Sequence, residues 1–315
     1  MKLLDYIPQR DGYGQGLLEL CAQRRDVVVL DADVAASTRT NWVRDQYPED
    51  FYNLGISEQD LVGTAAGMAL GGLIPYVSTY GVFLSGRAFD QMRTTVCYNN
   101  LKVRFGGAHA GISVGPDGAT HQALEDLALA RVLPNMTVIA PCDSEETRKA
   151  VIATVDVDGP VYFRFGREAV PVVTDAQTPF QLGKARLVRP GTDCAVFACG
   201  AMVYEAMEAA VTLAQEGVSL QVVDLHTIKP IDQEAIRAAA ETCGAIVTAE
   251  EHQLHGGLFS AVAEVVAQQC PVPMESVSVP NCFGQSGPPE ALMAHYGLNA
   301  KGILAAVGRV LARKG

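Results

Sequence analysis

Short apolar runs rich in β-branched residues alternate along the chain with longer stretches of helical periodicity. The predicted strands of the first part lie at 27–31, 75–79, 102–107, 136–140 and 161–165. Those of the second part lie at 194–200, 220–224, 245–250 and 275–279, with helices such as 204–216 and 258–268 between them. This alternation predicts βαβ units on parallel sheets, and the uniformly apolar strands predict sheets that are covered on both faces.

The alternation lapses once, at 174–183, into small and polar residues with a proline. Such a stretch is typical of a surface connection between domains. We therefore predict an α/β fold of two consecutive domains, residues 1–175 and 184–315, joined by a linker at 176–183. The length of 315 residues agrees with two domains of roughly 150 residues each.

No charged residue occurs from 61 to 86, so this segment has to be considered as a membrane span. Six glycines, a proline and several hydroxyl side chains interrupt it, which favours a buried helix followed by a buried strand. The N-terminus has no apolar run long enough for a signal peptide. The eight cysteines form no CxxC pair, which predicts reduced thiols in the cytoplasm rather than zinc or disulfides.

Charge and composition exclude some partners and favour others. Lys and Arg number 24 against 35 Asp and Glu, a net charge of −11, and no basic run could follow a phosphate backbone. Nucleic acid is therefore an unsuitable partner. Hydrophobic residues make up 49% of the chain, and the mean hydropathy is +0.14. This apolar surplus predicts a large subunit interface in addition to the core.

The loop that follows the predicted strand 102–107 contains many glycines and the polar residues His109, Asp117 and His121. Ligands of open α/β sheets bind at the carboxyl ends of the strands, and glycines let a backbone approach a ligand closely. The two histidines then converge on one substrate as proton carriers or hydroxyl donors. The alternative is a flexible loop with surface histidines, in which Thr120 caps a helix that begins at His121.

A second candidate is Glu58, which comes shortly before the charge-free segment. In one interpretation Ser57 caps a helix, and Glu58 and Asp60 only interact favourably with its dipole. In the other, the carboxyl group lies against an apolar helix, is desolvated, and shares a proton with a heterocyclic nitrogen. The pattern by itself leaves both interpretations open.

Taken together, the segments resemble the transketolase family in order and in context. GISEQDLVGTAAGMALGG, PYVSTYGVF, GAHAGISVGPDGATHQALEDLALARVLPNMTVIAPCD and GPVYFRFGRE are similar to its pyrimidine-binding domain. IKPID, AEEHQLHGGLFSAVAEVVA and FGQSGPPEALMAHYGL are similar to its C-terminal domain. The resemblance implies a parallel-sheet pyrimidine-binding domain, a smaller α/β C-terminal domain, and thiamine diphosphate as the cofactor.

The resemblance also implies roles for particular residues. On the cofactor, Glu58 contacts N1′ of the aminopyrimidine and shares a proton with it, while Tyr80 and Phe83 provide stacking faces. Tyr80 departs from the phenylalanine that is more frequent in the family, so its hydroxyl needs a partner. The remaining implied roles concern the sugar: hydroxyl contacts and proton transfer by His109 and His121, a hydroxyl contact by Asp117, and binding of the far phosphate by Arg10, Ser37 and Arg167.

One family motif has no match in the sequence. The resemblance implies that Mg²⁺ and the diphosphate are held by Gly-Asp-Gly followed by a later Asn, whereas the three Asp-Gly pairs here follow Arg10, Pro116 and Val157. We therefore predict no metal ligands in this chain. A separate N-terminal subunit would supply the Mg²⁺ and diphosphate site, in an α2β2 heterotetramer, and this chain alone would be inactive.

The predicted reaction is transfer of a two-carbon ketol unit from a ketose phosphate, or a ketose ending in another anion such as a sulfonate, to an aldose. Three alternatives stay open at this point: the β subunit of a 2-oxoacid dehydrogenase E1, a fragment like 1-deoxyxylulose-5-phosphate synthase, and a non-catalytic module. Glu250, Glu251, His252 and His255 form a further polar cluster. We interpret it as an interface or structural cluster, because the resemblance implies no chemistry there.

Overall fold

A computed structural model describes residues 4–314 and contains two mixed sheets flanked by helices, together with a two-stranded antiparallel sheet formed by Tyr6–Pro8 and Ala169–Pro171. The ends of the predicted domains, residues 1–3 and 315, lie outside the described residues. The strands are β1 (Tyr6–Pro8), β2 (Val27–Asp31), β3 (Phe51–Asn53), β4 (Ile74–Tyr80), β5 (Arg104–Ala108), β6 (Thr137–Ile139), β7 (Val161–Arg164), β8 (Ala169–Pro171), β9 (Arg186–Arg189), β10 (Cys194–Ala198), β11 (Leu220–Asp224), β12 (Thr227–Lys229), β13 (Ile246–Gln253) and β14 (Met274–Val279).

Helices occupy most of the connections between strands. They are α1 (Gln9–Gln23), α2 (Ala35–Thr38), α3 (Asn41–Gln46), α4 (Glu58–Leu70), α5 (Gly81–Arg87), α6 (Asp126–Val132), α7 (Ser144–Ala153), α8 (Met202–Gln215), α9 (Gln233–Cys243), α10 (Leu258–Gln269), α11 (Pro289–His295) and α12 (Ala300–Leu311). A π-helical segment follows α5 at Gln91–Cys97, and short 3₁₀ turns lie at Pro48–Asp50 and Ile112–Asp117. None of the helices within residues 4–314 is long and apolar enough to span a bilayer.

The first sheet has seven strands in the order β12-β6-β7-β5-β4-β2-β3, and all neighbours are parallel except β12 and β6. Every residue of β2, β5, β6 and β7 is buried, so both faces of the central strands are covered as predicted. In register, Asp31 of β2 faces Ser78 of β4, which faces Gly106 of β5. The loops that follow these strands therefore emerge side by side.

The second sheet has the order β14-β13-β10-β11-β9 and is parallel except for β9. One strand links the two sheets: β12 follows β11 of the second sheet in sequence, but it pairs antiparallel with β6 and forms an edge of the first sheet. The largest cluster of buried apolar side chains also runs from one sheet into the other, and it includes Phe105, Leu127, Phe197 and Val262. The two sheets thus share part of one core.

Three local features correct or extend the predictions. Thr120 does not cap a helix, because α6 begins only at Asp126 and His121 lies in the preceding turn. Ser57 does occupy the N-cap position of α4, but its hydroxyl donates to the Leu54 carbonyl instead of capping the helix. The charge-free segment forms a helix and a strand as predicted, and all eight cysteines are free thiols.

Candidate functional site

The predicted site residues lie at the carboxyl edge of the first sheet or on elements beside it. They are Arg10 in α1, Ser37 in α2, Glu58 at the start of α4, Tyr80 at the end of β4, Phe83 in α5, His109, Asp117 and His121 after β5, and Arg167 after β7. The loop after β2 is built around Asp31, which is fully buried. Its carboxylate accepts hydrogen bonds from the Val34 amide at 2.6 Å and from the Thr38 and Thr40 hydroxyls at 2.9 and 2.8 Å. These bonds hold a tight turn that leaves Ser37 half-buried at the sheet edge.

Glu58 is the first residue of α4, and its side chain is 4% exposed. Both carboxylate oxygens accept hydrogen bonds from Nη1 of Arg87, at 3.2 Å each. The Arg87 guanidinium carbon also lies 4.1 Å from the centre of the Phe83 ring, and half of the Arg87 side chain is exposed. One planar cation therefore lies between an otherwise buried carboxylate and an aromatic face.

Aromatic and imidazole rings come together where β4 ends and α5 begins. Tyr80 stacks on His109 with ring centres 4.4 Å apart and planes 25° from parallel. His121 presents its edge to Tyr80 and to Phe83, at 6.1 and 5.2 Å between ring centres. Nδ1 of His121 hydrogen-bonds the neighbouring Thr120 hydroxyl at 2.9 Å. The two predicted histidines and the two predicted aromatic residues thus converge on one patch.

Arg10, Ser37, Tyr80 and His109 form a closed ring of contacts, which we call the four-residue cycle. Nη1 of Arg10 donates to the Ser37 carbonyl oxygen at 3.2 Å and lies 3.4 Å from Nε2 of His109. The Tyr80 hydroxyl donates to Oγ of Ser37 at 3.2 Å, and the Tyr80 ring stacks on His109. The tyrosine hydroxyl, which departs from the family pattern, thus has its partner.

The cycle determines the state of His109. Burial, together with the nearby Arg10 and Arg167 cations, lowers the pKa of His109 to about 3. The imidazole is therefore neutral at pH 7. Arginine only donates, so Nε2 accepts from Arg10 and the ring proton is on Nδ1. Nδ1 is buried and has no hydrogen-bond partner among residues 4–314, which leaves one N–H donor available to a ligand.

Arg10 has an N–H donor available for an anion. Its Nε is buried without a hydrogen-bond partner in the described chain, and it has no carboxylate within ion-pair distance there. By contrast, Arg39 pairs with Asp11 at 2.6 Å. Burial, followed by repulsion from Arg39, lowers the pKa of Arg10. The free Nε edge of a guanidinium is suited to a planar or tetrahedral oxyanion.

Asp117 and Arg167 contact each other. Nη1 of Arg167 lies 3.3 Å from the Asp117 carboxylate, and each side chain is about one-third exposed. Nε of Arg167 is also 3.6 Å from Glu168. The two residues with different implied roles, one for a hydroxyl and one for a phosphate, therefore form one partly exposed ion pair beside the cycle.

Two candidate residues, Arg39 and Arg87, were not predicted from the sequence. Arg39 follows Ser37 closely and has a left-handed backbone (φ 67°), as does the predicted His109 (φ 53°). This conformation is uncommon for residues other than glycine and concentrates at functional sites. Arg87 follows Phe83 by one helical turn, and this spacing, which places both side chains on one helix face, could have identified it.

A second group of polar residues lies between the two sheets, and its members are bonded to one another or to the backbone. We call it the closed cluster: Asp126, Arg164, Glu250, Glu251 and His252. Arg164 pairs with Asp126 at 3.1 Å and donates to the Glu251 carbonyl. The Glu250 carboxylate accepts the first amides of α10, from Leu258 and Phe259, at 2.7 and 2.8 Å.

Burial dominates the electrostatics of the closed cluster. It raises the pKa of Glu250 to about 7 and lowers that of His252 to about 4. The Glu251 carboxylate accepts the Ser113 amide at 2.5 Å. His255 from the same sequence motif is exposed. These contacts favour the structural interpretation of this motif.

One group of three potential metal ligands occurs within residues 4–314: Cys142, Glu146 and Asp224. All three side chains are buried, and Arg186 donates to the Asp224 carboxylate at 2.9 Å. Mg²⁺ prefers oxygen ligands and retains water molecules. A buried thiol beside a guanidinium does not provide such a site.

Two family models match the chain. The model described as "Transketolase, pyrimidine binding domain" matches residues 5–173, and "Transketolase, C-terminal domain" matches residues 183–303. Among curated relatives, the 6-deoxy-6-sulfo-D-fructose transketolase subunit SqwH of Clostridium sp. is 39% identical, over 97% of this chain and 95% of its own. An apulose-4-phosphate transketolase subunit of Phocaeicola vulgatus is 38% identical, over 93% of this chain and 94% of its own.

A solved structure is similar over almost the whole length. It is described as a split gene transketolase, inactive beta4 tetramer, and is 45% identical with a TM-score of 0.92. The alignment covers 98% of this chain and 100% of that one. The predicted family and fold class are thereby confirmed.

Proposed function

The chain belongs to the transketolase family, and we propose that it is the C-terminal subunit of a two-polypeptide transketolase that transfers a two-carbon ketol unit between sugars. The observation that carries this proposal is the site at the carboxyl edge of the first sheet. There, a buried carboxylate, aromatic faces and a guanidinium that has no carboxylate partner among residues 4–314 lie at one edge of the sheet. The family's cofactor is thiamine diphosphate.

The residues around Glu58 fit an aminopyrimidine. The Arg87 guanidinium, a flat group with N–H donors along one edge, hydrogen-bonds Glu58 and lies over Phe83. An aminopyrimidine is also flat and also presents ring nitrogens at its edge. The contacts of Arg87 thus support a site for a planar nitrogen heterocycle at this position. When bound, thiamine diphosphate supplies the nucleophilic carbon and the electron sink for breaking a C–C bond next to a carbonyl.

The remaining proposed roles follow from the state of each side chain. Glu58 would share a proton with N1′ of the aminopyrimidine through its carboxyl group, which is 4% exposed. Tyr80 and Phe83 provide the stacking faces. Neutral His109 donates from Nδ1 to a sugar oxygen, and half-buried His121 reaches the same space edge-on to the aromatic rings.

The far end of the substrate is proposed to be an anion held by Arg10, Ser37 and Arg167, with Asp117 beside them for a hydroxyl. Arg10 offers a free, buried Nε, and Arg167 would exchange its partly exposed pair with Asp117 for the ligand. The two curated relatives are named for a sulfonated ketose and for a sugar phosphate. A guanidinium binds either group, so we propose an anionic ketose, phosphate or sulfonate, as the donor.

We propose that a separate N-terminal polypeptide supplies the Mg²⁺ and diphosphate site. Support comes from the absence of Gly-Asp-Gly in the sequence and from the match to nearly the full length of relatives that are named as subunits. The similar solved structure is described as an inactive beta4 tetramer. We therefore propose an α2β2 heterotetramer, in which this chain alone has no activity.

Two further expectations stay predictions. The domains are proposed at residues 1–175 and 184–315 with the linker at 176–183. The cytoplasm is proposed as the location, on the basis that six of the eight free cysteines are packed as buried side chains.

A mixing experiment tests the proposed function. The purified chain is titrated with an N-terminal transketolase subunit, thiamine diphosphate and Mg²⁺, and ketol transfer from a ketose phosphate to an aldose is measured. Turnover that occurs only in the mixture, and saturates at equal amounts of both subunits, is the expected result. Omission of Mg²⁺, each subunit alone, and the Glu58→Gln variant are the controls.

The other outcomes separate the alternatives. Activity of this chain alone contradicts the proposed division of the site. Complex formation with release of CO2 from a 2-oxoacid supports the 2-oxoacid dehydrogenase alternative, and synthesis of a 1-deoxyketose supports the synthase-like one. Complex formation without any turnover supports a non-catalytic module.

A further inference from the structure

Tyr80 has two separate contacts that point in different directions. Its ring stacks on His109 and lies 6.0 Å from Phe83, on the side where the cofactor is proposed to bind. Its hydroxyl donates to Oγ of Ser37 at 3.2 Å, on the side of the proposed anion. Ser37, in α2, and Tyr80, at the end of β4, line one pocket together. A phenylalanine would supply the first contact and not the second.

The hydrogen bond from the Tyr80 hydroxyl determines whether the Ser37 hydroxyl donates or accepts toward a ligand. A serine hydroxyl has one proton to donate and two lone pairs. Because Tyr80 donates to Oγ, one lone pair is used, and the Ser37 proton has no acceptor among residues 4–314. Arg10 holds the Ser37 carbonyl at 3.2 Å, so the position of the residue is fixed as well. Ser37 is thereby prepared as a donor toward an oxyanion.

We propose that the Tyr80 hydroxyl is a positioning group for the anion end of the substrate. It orients Ser37 so that the Ser37 proton and the free Nε of Arg10 reach the same phosphate or sulfonate. Tyr80 then contributes to the preference for an anionic sugar over a neutral one, and this role is separate from its stacking face. The inference rests on the proposed function for the identity of the substrate, but its binding test requires no turnover.

The test uses the full chain and two probes that do not react, erythritol 4-phosphate and erythritol. Their dissociation constants are measured by ligand-detected NMR for the wild type, Tyr80→Phe, Ser37→Ala and the double variant. We expect Tyr80→Phe to weaken the binding of erythritol 4-phosphate about three- to tenfold, which is the contribution of one hydrogen bond, and to leave the dissociation constant of erythritol unchanged. We expect the double variant to match Ser37→Ala, because the tyrosine acts through the serine.

The same variants in the reconstituted enzyme give a second readout. Tyr80→Phe is expected to raise KM for an anionic ketose by a similar factor, with kcat and the half-saturating concentration of thiamine diphosphate within about twofold. If Tyr80 had a purely structural role, Tyr80→Phe would change the dissociation constants of both probes, erythritol 4-phosphate and erythritol. Equal binding of the phosphate by wild type and Tyr80→Phe, or additive effects of the two substitutions, overturns the inference. Selective phosphate binding without ketol transfer in the mixture would contradict the proposed function and leave this inference standing.

Discussion

The carboxyl edge of the first sheet and the closed cluster have similar polar residues in different states. At the first edge, Nε of Arg10 and Nδ1 of His109 have no hydrogen-bond partner among residues 4–314, and the Glu58 carboxylate is bonded to the half-exposed Arg87. In the closed cluster, Glu250 and Glu251 accept backbone amides, and His252 lies between Gln253 and Ala128. Polar residues at a sheet edge thus indicate a ligand site only when their own chain leaves them unsatisfied.

The difference also separates stability from activity. Closed-cluster residues stabilise the fold because their buried polar groups are bonded to other groups of the protein. Site residues contribute little to the fold because their bonds are few and partly exposed. Substitutions in the two regions should therefore affect different measurements, and the following predictions test this division from the largest effect to the smallest.

The largest effect is expected for Asp126→Ala. Asp126 is fully buried and is the ion-pair partner of Arg164, so its removal leaves a buried charge unpaired. We expect the free energy of unfolding to fall by about 3 to 5 kcal/mol, measured by urea denaturation. The matched control is Asp117→Ala, which removes a partly exposed ion pair with Arg167 and should cost less than about 1 kcal/mol. Equal losses for the two variants would contradict the division.

The second prediction concerns Glu58→Gln. The amide keeps the size of the side chain but cannot hold the acidic proton, so turnover of the reconstituted enzyme should fall about 100-fold or more. The free energy of unfolding should change by less than about 1 kcal/mol, because the contact of Glu58 with Arg87 is partly exposed. Asp60→Asn, in the same first turn of α4 but exposed, is the control and should retain full activity. Turnover of Glu58→Gln within threefold of wild type would exclude the proton-sharing role.

The third prediction uses pH to compare one histidine from each region. Burial lowers the pKa of His109 to about 3 and that of His252 to about 4, so both are neutral in the folded protein and become charged first in the unfolded chain. Each therefore destabilises the fold as the pH falls below the unfolded pKa of about 6.5, by about 2 kcal/mol at pH 5. In His109→Asn and in His252→Asn, the decrease in unfolding free energy between pH 7 and pH 5 should therefore be smaller than in the wild type by about 2 kcal/mol.

Activity distinguishes the two histidines. His109→Asn should lower ketol transfer at pH 7, because the Nδ1 donor is lost from the site. His252→Asn should leave transfer unchanged at a temperature where the variant is folded. A catalytic loss in His252→Asn as large as that in His109→Asn would show that the closed cluster also acts in the reaction.

The comparison also shows what the sequence could predict. Periodicity located nine of the strands, since uniformly apolar runs have one explanation in an α/β protein. The three-residue strand β12 was missed, because its pairing with β6 depends on an approach of two distant segments and not on local pattern. The extra strands β1, β3, β8 and β9 are short and incompletely buried, so they have no apolar run to reveal them.

In the site, residue types were predictable and partners were not. From the glycine-rich loop we predict that His109 lies near a ligand, and this stays a prediction. The burial and neutral state of His109 depend on Arg10 and Tyr80, which come from other parts of the chain. Asp117 and Arg167 are 50 residues apart in sequence and pair only because the loop after β5 reaches the end of β7. Contacts of this kind require the tertiary structure.

The smallest effect is expected for Arg87→Gln. The Arg87 side chain is half-exposed, so its bond with Glu58 is worth less than about 1 kcal/mol, a factor of about five. If a pyrimidine takes the place of the guanidinium beside Glu58 and Phe83, removal of Arg87 removes a competitor. The half-saturating concentration of thiamine diphosphate in the reconstituted enzyme should then fall, by at most about fivefold, with kcat nearly unchanged. Arg93→Gln, a substitution in the following π-helical segment, is the control. A rise of more than fivefold in the half-saturating concentration would instead mean that Arg87 stays beside Glu58 and binds the cofactor. The carboxyl edge of the first sheet would then contain a further residue whose bonds persist when the ligand binds, which the comparison of the two regions does not expect.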